Sequence, residues 1–284
     1  MEKIVIVRYG EMMLKGKNLK DFKARLSNHL TRSFKGMDLV FKQKHEHLII
    51  SNFNDNILSL IIDKLFHIPG LYSYSLGYLV NNSDSELLDI SLKLLKDYDN
   101  TKSFKIETKR KDKTIPYTSQ EFSLKMAKLI FTKNTNLNIS LTKPDKIMHF
   151  ELLVNNKVLV YFDKIKLLGG FPSNSQSKML HFISSGLDSP VAAIELLRKG
   201  VNLSLIHFES SPLTPLEGLD KVITLCEEIA KFTPNEQITL YVVPFKELHQ
   251  ELIKKIDDQY IINIMRRMMY RIAERFANTK KIDI

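Results

Sequence analysis

Cysteine is nearly absent: Cys226 is the only one in 284 residues. A single thiol excludes an internal disulfide framework and any cysteine-based zinc cluster, and it fits a reduced, cytoplasmic protein. Long apolar runs are missing as well. None approaches the roughly 18 residues that a membrane helix needs, and the N-terminal MEKIVIVRYGE is too short an apolar run for a secretory signal. Long internal repeats and low-complexity tracts are also lacking. Acidic charge is in short supply, with 32 Asp+Glu against 42 Lys+Arg and a net charge of +10. The deficit is uneven. Residues 1–165 carry 27 Lys+Arg against 18 Asp+Glu, whereas residues 166–284 carry 15 against 14. A basic part joined to a nearly neutral part fits a polyanion grip beside a separate chemical unit. A solvated lysine-rich surface fits the same count. Hydrophobic residues make up 44%, enough for a sizeable core, and the length allows two domains or several small ones.

The periodicities divide the chain. Residues 3–8 (KIVIVR) read as a strand, followed by a basic turn. In residues 19–34 the apolar positions Phe22, Leu26, Leu30 and Phe34 recur every four, which predicts an amphipathic helix. Strands over 39–41 and 47–50 and a helix over 55–65 complete a small ferredoxin-like α+β unit over residues 1–70. A strand over 71–80, a helix over 87–95, a basic strand over 103–108 and a helix over 121–132 capped by Ser119 follow. Strands at 139–141, 148–154 and 157–162 then close a second α/β unit over 71–166, the last two joined by a hairpin turn at Asn155-Asn156. Residues 167–177 (LLGGFPSNSQS) have no periodicity and read as a linker. From 178 to 284, strands over 179–183, 203–208 and 239–243 alternate with helices. That pattern predicts a parallel sheet with ligands at the carboxyl ends of its strands.

The chemistry concentrates where the first of these strands ends. Ser184-Ser185-Gly186-Leu187-Asp188-Ser189 is a small polar loop, and Pro190 is set to start the helix behind it. Strand, polar loop and helix N-terminus gather free backbone N–H groups around an anion. A plain strand-to-helix turn with a serine cap is the simpler reading of the same residues. Arg267, Arg271 and Arg275 recur at four-residue spacing and make a cationic helix stripe, able to meet phosphates or merely solvated. Cys226 sits in mid-helix, away from any strand end, and reads as a structural thiol.

Three motifs, RYGEMMLKGKN at 8–18, SSGLDSP at 184–190 and MRRMMYR at 265–271, occur in the order found in the tRNA 4-thiouridine synthetase family, the ThiI-type tRNA sulfurtransferases. FKIETKRKD at 104–112 resembles the basic strand of that family's THUMP domain, and LGGFP at 168–172 resembles its linker. The resemblance implies an N-terminal ferredoxin-like domain, a THUMP RNA-binding domain and a partial PP-loop ATP pyrophosphatase domain. It implies ATP and Mg²⁺, adenylation of O4 of the uridine at tRNA position 8, and displacement of AMP by persulfide sulfur from a cysteine desulfurase. A homodimer and a sulfur-carrier role in thiamine thiazole synthesis come with it.

Carried over position by position, Ser184, Gly186, Asp188 and Ser189 match the family's phosphate loop, while Ser185 stands where its first glycine is expected. Asp188 would act through Mg²⁺ or the phosphates. Phe182, Ile183, His207 and Phe208 match positions beside the adenosine, and Arg266 matches a cation that faces the nucleotide. Arg8, Tyr9, Lys15, Lys17, Asn18, Lys109, Arg110 and Lys113 are the expected tRNA contacts. In the family a Gly-Glu-Ser-x-Gly-Gln motif and the catalytic cysteine follow the helix that reaches Ala277. Neither occurs in these 284 residues. Two readings therefore stand: an ATP-dependent tRNA sulfurtransferase, and a tRNA-binding remnant without the persulfide cysteine.

Overall fold

The β-branched run near the N-terminus forms β1 (Glu2–Tyr9), with Ile4 to Val7 wholly buried. Two short 3₁₀ turns lead into α1 (Leu19–Ser33), whose buried Phe22, Leu26 and Leu30 are the four-residue stripe of the sequence. There follow β2 (Val40–Gln43), β3 (His47–Ser51), α2 (Leu58–Phe66) and the long β4 (Leu71–Asn81). The chain continues through α3 (Asp84–Leu95), β5 (Ser103–Arg110), α4 (Ser119–Phe131), β6 (Asn138–Ile139), β7 (Lys146–Leu153), β8 (Lys157–Tyr161) and β9 (Ile165–Lys166). Its last part comprises β10 (Lys178–Phe182), α5 (Asp188–Arg198), β11 (Asn202–Glu209), α6 (Glu217–Ala230), β12 (Thr239–Pro244), α7 (Lys246–Lys255) and α8 (Asp258–Lys280). This computed structural model describes residues 1–96, 102–111, 115–133, 137–211 and 217–282.

The chain forms two compact units that cut across the sequence boundaries. One comprises Met1–Arg8, Met37–Leu58 and Ser73–Leu167; the other comprises Tyr9–Gly36, Ser59–Tyr72 and Leu168–Ile284. The first is built on a nine-stranded sheet in the order β2-β3-β1-β4-β8-β7-β5-β6, with β9 also paired to β4. β2-β3-β1-β4 is the ferredoxin-like order, so β4 is both the last strand of that motif and the first of the next. The sequence reading assigned it to the second motif alone. Gly77 makes this double role possible. A Cβ there would lie 2.7 Å from the Val160 carbonyl oxygen and 2.8 Å from Tyr161 Cβ. Without one, the Arg8 guanidinium from β1 reaches to 4.8 Å above the Tyr161 ring of β8. Phe104, Phe122, Met126, Phe150 and Val160 form the core of α3 and α4 against the sheet. Asn155 and Asn156 both take positive φ, 62° and 54°, which closes the β7–β8 hairpin at the expected place.

The second unit holds the parallel sheet β10-β11-β12. Leu203 and Leu205 from β11 pack with Ala193 and Leu197 of α5 and with Val222 and Cys226 of α6. Two boundaries differ from expectation for local reasons. The cap of α4 is Thr118, not Ser119, because Glu121 reciprocates: its carboxylate accepts from the Thr118 N–H at 2.7 Å. α5 begins at Asp188, two residues before Pro190. Proline fits at the third helical position because the first four N–H groups have no intrahelical acceptor in any case.

Candidate nucleotide and RNA sites

The polar loop after β10 is fastened at both ends by its own serines. The Ser189 hydroxyl accepts from the Ser184 N–H at 3.0 Å and donates to the Ser184 carbonyl at 3.2 Å. A ring nitrogen of His181 lies 2.9 Å from the Ser189 carbonyl. Ser184 to Asp188 are exposed, and no side chain caps the N-terminus of α5. The result is a fixed loop whose outer face, with the first N–H groups of α5, is open to an anion. None of residues 184–189 has a positive φ, so Ser185 is unstrained where a glycine was expected. A Cβ on Gly186 would meet nothing nearer than Ser184 Oγ at 3.6 Å, so the space above it is clear.

Beside the loop, the two strand ends are knitted together. A ring nitrogen of His207 lies 3.0 Å from the Ile183 carbonyl, and the other lies 3.4 Å from a Glu209 oxygen. Glu209 in turn accepts from the Ser211 N–H and hydroxyl, which hold its carboxyl below the usual range. The Phe182 and Phe208 rings stack at 5.6 Å between centroids and 17° between planes. Tyr270, unnoticed in the sequence, completes the cluster at 5.1 Å from Phe182 while remaining 65% exposed. It lies one turn beyond Arg266, and so puts Arg266 on the same face of α8. Arg266, Arg267, Arg271 and Arg275 are all exposed. Phe182, Ile183, His207, Phe208 and the loop thus converge at the carboxyl end of the sheet. Cys226 is buried, and desolvation raises its thiol pKa to about 11, so it is inert as a nucleophile near neutral pH.

The expected RNA contacts fare differently. Arg8 is half-buried: it donates to the Ser75 hydroxyl at 2.9 Å and lies against Tyr161. Tyr9 is 6% exposed, and burial raises its phenol pKa to about 12. Lys15, Lys17 and Asn18 are exposed, and the Lys15 ammonium lies 4.6 Å above the Phe171 ring. Arg110 donates to the carbonyls of Ile115 and Tyr117, and Lys109 pairs with Glu46 at 3.3 Å. Lys113 lies outside the described residues. The first and linker motifs also clasp each other. Glu11 accepts from the Gly170 N–H at 2.7 Å, and Phe171 meets Phe22 edge-on at 5.8 Å. Gly170, at φ 79°, lies so near the Arg198 carbonyl that a Cβ would come within 2.0 Å of it. Much of what reads as an RNA motif is therefore internal fastening.

A parallel-sheet unit with an open polar loop at a helix N-terminus, on the same chain as a basic α+β sheet, defines the class: an α/β domain of the nucleotide-binding type on one chain with an RNA-binding type of architecture. Family models agree segment by segment. The ThiI ferredoxin-like domain matches residues 4–75, the THUMP domain 82–163, and the thiamine biosynthesis protein (ThiI) model 174–284. The chain is 35% identical to a probable tRNA sulfurtransferase of Acholeplasma laidlawii, over 100% of this chain and 68% of that protein. It is 32% identical to a probable tRNA sulfurtransferase of Oceanobacillus iheyensis, over 98% and 69% respectively. A crystal structure of a 4-thiouridine synthetase–RNA complex with bound ATP superposes with a TM-score of 0.87 at 28% identity, covering 99% of this chain and 72% of that one. The chain belongs to the tRNA sulfurtransferase (4-thiouridine synthetase) family. No helix among the described residues is long and apolar enough to cross a membrane.

Proposed function

We propose that these residues carry out the ATP-dependent activation of tRNA in forming 4-thiouridine at position 8. The open, hydroxyl-fastened loop at the uncapped N-terminus of α5 is the observation that carries this reading. The loop and the first N–H groups of α5 bind the β- and γ-phosphates, while the strand ends at Ile183 and His207 take the adenosine. Uridine O4 attacks the α-phosphorus, the bond to the bridging oxygen breaks, and pyrophosphate leaves. Arg266 balances charge on the phosphoryl oxygens as it builds. No group of three or more His, Cys, Asp and Glu is gathered to hold a metal among the described residues. The single exposed carboxylate of Asp188 fits Mg²⁺, which takes one or two carboxylates plus substrate phosphates and would neutralise the departing pyrophosphate.

In the second step the terminal sulfur of a persulfide attacks C4, the C4–O bond breaks and AMP departs. A second thiol then attacks the inner sulfur, so the S–S bond breaks, 4-thiouridine is freed and a disulfide is left on the sulfur carrier. Cys226 is buried with a raised pKa, so the sulfur arrives on a cysteine outside these 284 residues, loaded by a cysteine desulfurase. The same reading places the protein in the cytoplasm, with a second copy of the chain as partner and a role in thiamine thiazole synthesis.

The test is release of pyrophosphate from ATP in the presence of unmodified tRNA. Asp188→Asn is expected to lower the rate by about a hundredfold or more while tRNA binding is retained. Wild-type protein that binds tRNA but neither binds ATP nor releases pyrophosphate would leave the tRNA-binding reading in its place.

A further inference from the structure

The first motif and the linker meet at a joint of glycines. The Gly10 N–H donates to the Gly70 carbonyl at 3.1 Å, the Gly70 N–H to the Gly169 carbonyl at 2.8 Å, and the Gly169 N–H to the Leu71 carbonyl at 2.7 Å. Gly70, Gly169 and Gly170 take positive φ, at 95°, 71° and 79°, a conformation that favours glycine. Backbone is thus stitched to backbone, and the side chain of Glu11 closes the joint: its carboxylate accepts from the Gly170 N–H at 2.7 Å.

The next link is rigid. The Phe171 N–H donates to the carbonyl of Arg198, the last residue of α5, at 2.9 Å. Gly170 approaches the same carbonyl as closely as only a glycine can. α5 has 11 residues, and the phosphate loop stands at its other end; at about 1.5 Å per residue it is a rod of about 16 Å. On the other side of Glu11 lies the basic turn with Lys15, Lys17 and Asn18. The far end of that turn is held as well, by the Lys15 ammonium 4.6 Å above the Phe171 ring and by Phe22 edge-on to that ring at 5.8 Å. Turn, linker and α5 form one train of contacts inside one compact unit.

Activation of a tRNA base by a nucleotide needs both ligands in one frame. Each can bind alone without it, but the attacking oxygen and the α-phosphorus must lie in line, and a misplacement of about 1 Å costs about a hundredfold in rate. We propose that Glu11 is a positioning residue for this reaction. It seats the basic turn on the linker, and through the linker on α5, so that a tRNA gripped by Lys15 and Lys17 brings its uridine to a nucleotide at the phosphate loop. Glu11 itself touches neither ligand. The assignment rests on the activation of tRNA proposed above.

The experiment compares wild type with two variants of the full chain. Glu11→Asp keeps the charge but is one methylene too short to reach Gly170, whereas the side-chain carbonyl of Glu11→Gln still reaches it. Binding of a fluorescent ATP analogue, and of tRNA by anisotropy, should stay within about twofold in both variants. In Glu11→Asp, kcat for tRNA-dependent pyrophosphate release should fall by about tenfold or more while KM for ATP holds, and Glu11→Gln should recover most of the loss. Lost affinity for ATP or tRNA in Glu11→Asp would make Glu11 a structural anchor and overturn the assignment. So would a lowered urea midpoint with kcat unchanged, or equal kcat losses in both variants. Wild-type protein that binds both ligands without releasing pyrophosphate would overturn the activation reading and this assignment together. Release that Glu11→Asp leaves unchanged overturns the assignment alone.

Discussion

His29 shows how a residue that carries no chemistry sets the pH behaviour of its unit. It is wholly buried on α1, with one ring nitrogen 3.0 Å from the Ser173 hydroxyl. Desolvation lowers its pKa to about 4 from an ordinary 6.5. Between those values the unfolded chain binds the proton more readily, so stability rises with pH across that window. It is complete above about 6.5 and is lost as pH falls towards 4. By the usual conversion His29 accounts for about 3 kcal/mol of that loss. Urea denaturation at pH 7 and pH 4.5 should show His29→Gln losing less stability on acidification than wild type, by roughly that amount. Equal losses would mean that His29 is hydrated or already relaxed. His149, on the other unit, is lowered to about 4 by the same cause, and His47 is lowered in the same direction, so both add acid sensitivity of the same sign. His29 stands three residues beyond Leu26 and seven beyond Phe22, so the apolar stripe of α1 already places it on the buried face. Its partner Ser173, 144 positions away, is what the sequence does not show.

At the scale of elements, the short-range signals carried furthest. The four-residue stripe gave α1 and the Asn155-Asn156 pair gave the β7–β8 turn because both are decided within a few residues. The cap of α4 was missed by one position because Thr118 and Ser119 are chemically equivalent caps. The choice rests on whether a glutamate stands three residues on, which Glu121 does for Thr118. Thr118→Ala should therefore destabilise the protein by about 1 kcal/mol, read as a lowered urea midpoint, whereas Ser119→Ala should fall within a few tenths. A larger effect at Ser119 would return the cap to the sequence-based position. Longer-range assignments were less legible. Arg8 and Tyr9 look like RNA contacts in a motif that resembles those of tRNA enzymes, yet their partners Ser75, Tyr161 and Lys23 come from other elements. The strand–loop–helix geometry around Ser184–Ser189 was legible because its three parts are contiguous. Tyr270 was not, because its approach to Phe182 depends on how α8 returns across the sheet.

For the whole molecule, the uneven charge becomes a measurable quantity only once internal pairs are removed from the count. Residues 1–165 hold most of the cationic excess. Several of their lysines are committed: Lys3 to Asp55, Lys105 to Glu107, Lys125 to Asp84 and Lys146 to Asp163. Such exposed pairs contribute little to stability, but in each the carboxylate offsets the pull its lysine exerts on a polyanion. Cations on the hairpin strands such as Lys42 and Lys157, or exposed like Lys17, remain able to displace counterions from RNA. Affinity for tRNA should then fall linearly with the logarithm of salt concentration, with a slope set by the phosphates neutralised. Removing Lys42 or Lys157 by substitution with Ala should reduce that slope by about one each. Lys105→Ala should leave it unchanged, since Glu107 already balances that charge. Measured by anisotropy from 50 to 300 mM KCl (roughly a sixfold change in screening ions), equal slopes for all three variants would mean that the basic surface is merely solvated. Unequal slopes in the stated order would locate the grip on the hairpins instead of on the motif residues nearest the N-terminus.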